Sequence, residues 1–390
     1  MGKETGVYIR STVAGEEVQA FVPQPLPPRA KMLLSEGVKK LLVEAERNLA
    51  QLRIAFELVP NISLFAYAFV RKEAVYSSQI EGIQATLSDL LNFEAAPEEF
   101  QANRDVIEVC NYLDALEYGK KQLLDPKGLP FSLRLIRELH KRLMRGVQGS
   151  MKAPGEFRTT QNWIGGIRPG KAHFVPPPPN EMMSCLVELE KFLHQPKTNI
   201  PDLVRTACIH VQFETIHPFL DGNGRVGRLL IALLLEAWCQ LDARLLYLSL
   251  FFKQHRQEYY RQLDAVRQNG DWEGWTEFFL EGVCQTAREA VLAAQNIFRL
   301  FETDRKRLLR HGSTVIVALR LLEELPNHPV LTISSVTKLL KTTKPTAGKA
   351  VDILCELKIL EERTGGKRNR VFGYRGYLDA LRADEAAIEP

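Results

Sequence analysis

The sequence predicts a mainly α-helical protein with one β-hairpin set among its helices and a winged helix-turn-helix at its C-terminal end. Three observations carry this expectation. Apolar residues recur every three or four positions through most of residues 32–310, the period of helices with one face in a core. Residues 155–179 break that rhythm with glycines, prolines and short β-prone runs. Beyond residue 312 the order becomes helix, short strand, two helices and a basic hairpin, which is the layout of a winged helix.

Taken in order, residues 1–30 are polar and then proline-rich, with Phe21-Val-Pro-Gln-Pro-Leu-Pro-Pro28 as an extended stretch. Polyproline geometry suits that composition, so no regular element is expected there. Helical spacing then covers 32–56, 62–78, 87–93, 103–123 and 132–145. The segment Trp163-Ile-Gly-Gly-Ile-Arg-Pro-Gly-Lys-Ala-His-Phe-Val175 reads as two short strands around Gly and Pro turns. Pro176 to Pro179 end it, and Asn180 is the expected N-cap of a helix running to His194. Helices resume at Pro201 and continue to about Arg310.

In the last segment a helix is expected over 315–325, a strand over 331–333 and a helix over 334–341 capped by Ser334. A further helix over 343–357 has Pro345 in its first turn. Strands over 359–362 and 369–374 flank Gly365-Gly366. The expected division is 1–112, 113–300 and 301–390, since 390 residues leave room for two or three domains.

Composition narrows the class. Hydrophobic content of 45% with 25% charged residues is ordinary for a globular chain. The net charge of +4 is small and uneven, because residues 313–377 hold 11 Lys and Arg against 6 Asp and Glu. The six cysteines, Cys110, Cys185, Cys208, Cys239, Cys284 and Cys355, form no Cys-x-x-Cys and sit in apolar helical surroundings. Buried free thiols and a cytoplasmic location are the expectation. The N-terminal residues lack an apolar signal segment, and Gly6 stands where a myristoylation signal wants Ser or Thr. The apolar run 229–238 is too short to cross a bilayer.

Chemistry concentrates in His217-Pro-Phe-Leu-Asp-Gly-Asn-Gly-Arg-Val-Gly-Arg228. These twelve residues hold one imidazole, one carboxylate, one amide, three glycines and two guanidiniums, between helical stretches at 209–216 and 229–238. A glycine-rich turn feeding a helix N-terminus presents free backbone N–H groups and the positive end of a dipole to an anion. Two arginines beside it suit a polyphosphate better than a lone carboxylate.

This stretch matches the full Fic motif, H-P-F-x-D-G-N-G-R-x-x-R, and the chain resembles the Fic family. Phe21 to Pro28 resembles the opening of the Fic N-terminal domain, and Gly155-Glu-Phe-Arg158 the approach to the family's flap hairpin. Ser77-Ser-Gln-Ile-Glu-Gly82 resembles the inhibitory motif Ser/Thr-x-x-x-Glu-Gly/Asn. The resemblance covers roughly residues 15–300, and members with a C-terminal winged helix cover nearly all of the chain. It implies a helical Fic core with a flap, and a protein adenylyltransferase that moves AMP from ATP to a Tyr, Ser or Thr hydroxyl.

The residue roles that follow agree with their chemistry. His217, with an ordinary pKa near 6.5, is the group suited to take the proton of the attacking alcohol. Asp221 is a hard oxygen ligand for Mg²⁺ bridging the phosphates. Gly222, Asn223, Gly224, Arg225, Val226, Gly227 and Arg228 would hold ATP, with the Asn223 amide on a phosphate oxygen and the two arginines on the β- and γ-phosphates. Members that transfer a phosphoryl group differ at the second glycine, and Gly224 is intact. The resemblance also implies that Glu81, with Ser77 in the same motif, inhibits by pairing with Arg228, close enough to count among the ATP-binding positions.

An adenine contact is implied near Gln254-His255, with Gln254 or His255 to supply it, and Gln254 is the candidate here. His210, seven residues before His217, reads as a core histidine. Beside this stand AMP removal by the same site, transfer of another nucleotide, and a nucleotide-sensing regulator that binds DNA through Lys367-Arg-Asn-Arg370 and the helix from Pro345. ATP, an unidentified target protein, the chain itself and a homodimer are the expected partners, with DNA or protein as alternatives for the winged helix and no membrane.

Overall fold

The computed structural model describes residues 5–13, 15–28, 34–57, 63–98, 100, 103–146, 152–195, 199–241, 245–311, 315–365 and 370–382. Its first element corrects the sequence expectation. β1 (Gly6–Val13) and β2 (Glu16–Pro23) pair antiparallel from Gly6↔Pro23 to Val13↔Glu16. Gly15, at φ +81°, lies in the connection between them, where a two-residue turn needs a left-handed residue. The strand signal was there: Val18 and Ala20 are buried while Glu17 and Gln19 are exposed. Prolines follow immediately and mask it, since Pro23 already ends β2.

The helices follow the predicted periodicity. They are α1 (Glu36–Glu57), α2 (Ser63–Ile80), α3 (Leu87–Ala95), α4 (Arg104–Leu124) and α5 (Leu133–Leu143). After the glycine-rich interruption come α6 (Pro179–His194), α7 (Asp202–Ile216), α8 (Asn223–Cys239), α9 (Leu248–Gln254), α10 (Arg256–Asn269) and α11 (Trp272–Leu309). Caps set several starts. Thr86 forms a reciprocal capping box with Asp89 at α3, and Asn103, Ser132 and Asp271 accept backbone N–H bonds at α4, α5 and α11. Asn180 does not cap α6. That helix begins one residue earlier at Pro179, where a proline loses no helical hydrogen bond.

The core is built around α7 and α8. Every residue of α7 from Leu203 to Ile216 is buried, polar ones included, so this helix has no solvent face. α8 buries Asn223 and then Arg225 through Leu235 without a break. Each fully buried Leu or Phe in such a core contributes about 1.5–3 kcal/mol. Trp275 of α11 is fully buried and its indole N–H donates to Ala207 O at 2.9 Å, locking α11 to α7. His210 is the core histidine expected, buried with Nε2 2.8 Å from the Tyr259 hydroxyl.

α11 runs on for 38 residues, about 57 Å at 1.5 Å per residue, into the C-terminal unit. That unit holds α12 (Ile316–Glu324), β3 (Val330–Thr332), α13 (Ile333–Leu339), α14 (Lys344–Glu356), β4 (Leu360–Glu362), β5 (Val371–Tyr374) and α15 (Arg375–Arg382). The sheet is antiparallel in the order β3-β5-β4, the winged-helix layout. The cap of α13 is Thr332 rather than Ser334, because Thr332 and Ser335 form the capping box. Tyr374 donates to Asp304 of α11 at 3.0 Å, fastening the sheet to the long helix. Lys367, Arg368 and Asn369 of the predicted basic hairpin lie outside the described residues.

Two further expectations are corrected. Residues 163–175 make a single β-bridge, Ile164↔Phe174, instead of two strands. Gly165 and Gly166 turn to φ +67° and +76° directly after Ile164, and a 3₁₀ turn occupies Pro169–Lys171, which bends the chain away from the ladder on the inner side of the bridge. All six cysteines are free, but only Cys185, Cys208 and Cys284 are buried. Among the described residues no helix is long and apolar enough to cross a membrane.

Candidate active site

α7 ends and α8 begins on two left-handed residues. His217 has φ +50° and Gly222 φ +75°. A non-glycine residue in that region is strained, and the surroundings hold it. His217 N donates to Phe213 O at 2.9 Å, and its carbonyl accepts from Arg158 Nε at 2.9 Å. Arg158 is buried and also donates to Pro177 O, while its own N–H reaches Pro218 O. The Gly155-Glu-Phe-Arg158 stretch is therefore a clamp on the turn after α7.

The turn is closed from within by Asn223. Its Oδ1 accepts from Phe219 N and its Nδ2 donates to Phe219 O, both at 2.8 Å. This departs from the expected contact with a phosphate: the amide is engaged in shaping the loop. His140 of α5 braces the other side, a role the sequence did not reveal. It stacks on Phe219 with ring centroids 3.7 Å apart, accepts from Gly155 N at Nδ1, and places Nε2 3.0 Å from Asp221 O. Accepting at Nδ1 leaves the proton on Nε2 to donate to that carbonyl.

The arginines differ. Arg225 is buried and already paired, with Nη1 2.5 Å from Glu108 of α4 and Nη2 4.0 Å from Asp221. Arg228 is 2% exposed and engaged by Ser77 and Glu81. Its Nε donates to Ser77 Oγ at 3.0 Å, and Nη2 donates to Ser77 O at 2.8 Å and to Glu81 Oε1 at 2.7 Å. The structure thus brings Ser77, Glu81 and Arg228 together within one chain. A Cβ at Gly224 would lie 2.2 Å from Glu81 Oε1, so the carboxylate presses against the glycine-rich turn itself. A Cβ at Gly227 would meet Glu214 Oε1 at 2.4 Å. Val226 is buried between these two close approaches.

Below the clamp, Glu73 fixes α2. It accepts from Ser249 N at 3.0 Å and from Tyr112 OH at 3.2 Å, fully buried, and burial pushes its carboxyl up. Gln254 closes α9. His255 faces another groove with Phe251 and Glu258. Tyr259 and Tyr260 of α10 are within electrostatic reach of Glu81 and Arg228, and burial pushes both hydroxyls up.

Electrostatics match the geometry. Desolvation works to raise the Glu81 carboxyl, but Arg228, helped by Arg225, outweighs it and holds the group below its ordinary value. His217 is pushed down to about 3 by burial and by the Arg267 guanidinium, so its ring is neutral at pH 7. Asp221 is half-exposed, with Oδ1 accepting from Gly222 N at 2.6 Å. Mg²⁺ takes one or two carboxylates and fills its remaining positions with water and phosphate oxygens, and a lone half-exposed carboxylate beside an anion-binding turn fits that demand.

Two buried histidines make stability pH-dependent. Burial depresses His140 to about 4 and His210 to about 3, against an unfolded value near 6.5. The unfolded chain therefore binds more protons below pH 6.5, and stability that is complete above that value is lost as pH falls toward 4. Each ring contributes up to about 1.4 kcal/mol per pH unit in that window. Urea midpoints are expected to fall steadily from pH 6.5 to 4.5, with a shallower slope in His210→Gln. A slope unchanged by that substitution would contradict the reading.

Residues 39–121 match the Fic/DOC family N-terminal region, and residues 130–235 match the Fic/DOC family itself. The second match contains the whole of His217 to Arg228, and the first contains Ser77 and Glu81. The chain carries both Fic/DOC regions. Curated relatives include the protein adenylyltransferase Fic of Drosophila grimshawi, 33% identical over 169 residues, and that of Culex quinquefasciatus, 32% over 176. The matches cover 43% and 45% of this chain but only 31% and 32% of those relatives, so it spans about a third of their length.

The fold has solved counterparts. A Fic family protein from Desulfovibrio desulfuricans G20 superposes with TM-score 0.58 at 21% identity, over 90% of this chain and 98% of that one. Residues 134–508 of Fic-1 from C. elegans give TM-score 0.52 at 21% identity, over 66% of this chain and 73% of that one. At these identities the likeness is one of fold.

Proposed function

We propose that this chain is a protein adenylyltransferase that holds itself inhibited through Glu81. The observation that carries the reading is the fork of Arg228 on Ser77 and Glu81, set against an intact glycine-rich turn. Free backbone N–H groups at the start of α8, with the end of its dipole, would cradle the phosphates of ATP, and Arg228 would take the γ-phosphate once released. His217 accepts the proton of a target Tyr, Ser or Thr hydroxyl, whose oxygen then bonds to the α-phosphorus while pyrophosphate leaves. Asp221 would hold Mg²⁺, which when bound neutralises phosphate charge. The relatives' name supports the choice of AMP as the group moved.

Ile164 directs both of its backbone groups to Phe174, so by strand alternation those of the preceding Trp163 would face the opposite edge, where a target strand would add. The proposed division into 1–112, 113–300 and 301–390 leaves α4 and α11 crossing the two joints. Six free thiols support a reducing, cytoplasmic setting. The exposed face of α14 mixes Lys344 and Lys349 with Asp352 and Glu356, which suits a docked protein as well as a duplex. Salt-dependent binding of a labelled duplex would separate those two. The Glu81–Arg228 pair closes inside one chain, so a homodimer would add to inhibition without being required for it.

The test is a nucleotide series. Folded Glu81→Gly protein is incubated with ATP labelled at the α- or γ-phosphate, and with α-labelled GTP and UTP. Protein label from α-ATP alone is expected. Label from γ-ATP would mean phosphoryl transfer, and label from UTP or GTP would change the donor.

A further inference from the structure

The N-terminal hairpin has no part in the site described so far, and residues 5–23 lie outside both family matches. Two strands alone are marginal in water, so what they pack against is informative. They pack against the flap. Phe21 N donates to Val175 O at 2.9 Å, placing β2 along the return segment of the flap. Glu16 accepts from Gly170 N at 3.0 Å and lies 3.7 Å from Arg168, gripping the flap's 3₁₀ turn. Val13, Val18, Ala20 and Val175 form a small core of their own, separate from the main one.

The opposite side of the same segment is held by α10. His173 Nε2 lies 2.5 Å from Asp264, and the Arg267 guanidinium sits 4.2 Å from the Phe174 ring centroid. Arg267 in turn donates to Thr215 Oγ1 at 3.2 Å and to Glu214 O at 3.1 Å, in the last turn of α7 before His217. The flap's own ladder is a single bridge, too little to fix its orientation. Its direction is set by what flanks it.

We propose that the N-terminal hairpin positions the flap for the target: it fills the edge at Val175, leaves the edge at Trp163 to receive an incoming strand, and fixes that strand's distance from His217. This rests on the transferase reading above. It makes Glu16 and Val18 positioning residues, remote from the nucleotide, whose loss should disturb transfer and leave ATP binding alone. Misplacement of a reacting group by about 1 Å can cost on the order of a hundredfold in rate.

The test adds Glu16→Ala and Val18→Asp together to Glu81→Gly protein, with Val18→Ile as the conservative control. Amide hydrogen exchange is read at Ile164, His173 and Phe174, ATP affinity by calorimetry, and transfer as self-labelling from α-labelled ATP. Exchange at those three amides is expected to rise by about tenfold and self-labelling to fall by about tenfold or more, with ATP affinity within about twofold and the Val18→Ile protein like its parent. Unchanged exchange would overturn the proposal, as would raised exchange with unchanged labelling, or ATP affinity falling in step with labelling. Should the Glu81→Gly parent carry no label, the transferase reading fails on its own, and the exchange measurement still decides whether the hairpin holds the flap.

Discussion

Glu81→Gly is expected to raise the rate of AMP transfer by about ten- to a hundredfold. The carboxylate does two things at once. It engages Arg228 Nη2 at 2.7 Å, and it lies where a Cβ on Gly224 would be 2.2 Å from its oxygen, against the turn that phosphates should occupy. A charge-assisted hydrogen bond to a buried partner is worth about 1.5–3 kcal/mol, and each 1.4 kcal/mol is a factor of about ten in rate. Arg228 keeps its two bonds to Ser77 after the substitution, so it stays aimed at the site instead of collapsing elsewhere. Glu81 sits in the turn after α2 beside Gly82, and its loss should leave the fold intact. Equal rates in folded mutant and wild type, measured at saturating ATP, would contradict the inhibitory role.

His217→Ala in the same background is expected to lower transfer by about 10²–10⁴-fold, the usual worth of a positioned general base. ATP affinity should change little, because the phosphate-binding groups lie beyond it in the turn. The left-handed backbone at φ +50° is a complication, since alanine tolerates it less well than asparagine. His217→Asn separates the two effects: it suits the backbone and lacks a basic nitrogen. Comparable loss in both variants locates the effect in the imidazole. Activity retained by the asparagine variant would assign His217 to shaping the turn.

Helices and the glycine-rich turn were legible in the sequence because each depends on neighbours within a few positions, whereas the caps expected at Asn180 and Ser334 fall at Pro178 and Thr332. The spacing of apolar residues placed α1 to α5, and the motif from His217 to Arg228 announced its own chemistry. What escaped depends on residues far apart in the chain. His140 is one basic residue among several in α5, and only its stacking on Phe219 and bonds to Gly155 and Asp221 set it apart. Glu108 gave no sign that it would meet Arg225, 117 positions away. Asn223 was expected to face a phosphate but bonds both backbone groups of Phe219, a local closure that composition cannot distinguish from ligand binding. The N-terminal hairpin was hidden by the prolines that follow it. The flap was overread as two strands because Gly165 and Gly166 limit the ladder to one bridge.

Incubating wild type, Glu81→Gly and His217→Ala with Mg²⁺ and ATP labelled at the α-phosphate, then counting label on protein, bears most directly on whether this is an inhibited adenylyltransferase. Strong label in Glu81→Gly, weak label in wild type and none in His217→Ala is the expected pattern. Equal label in all three, or none in any while calorimetry shows ATP bound, would contradict it.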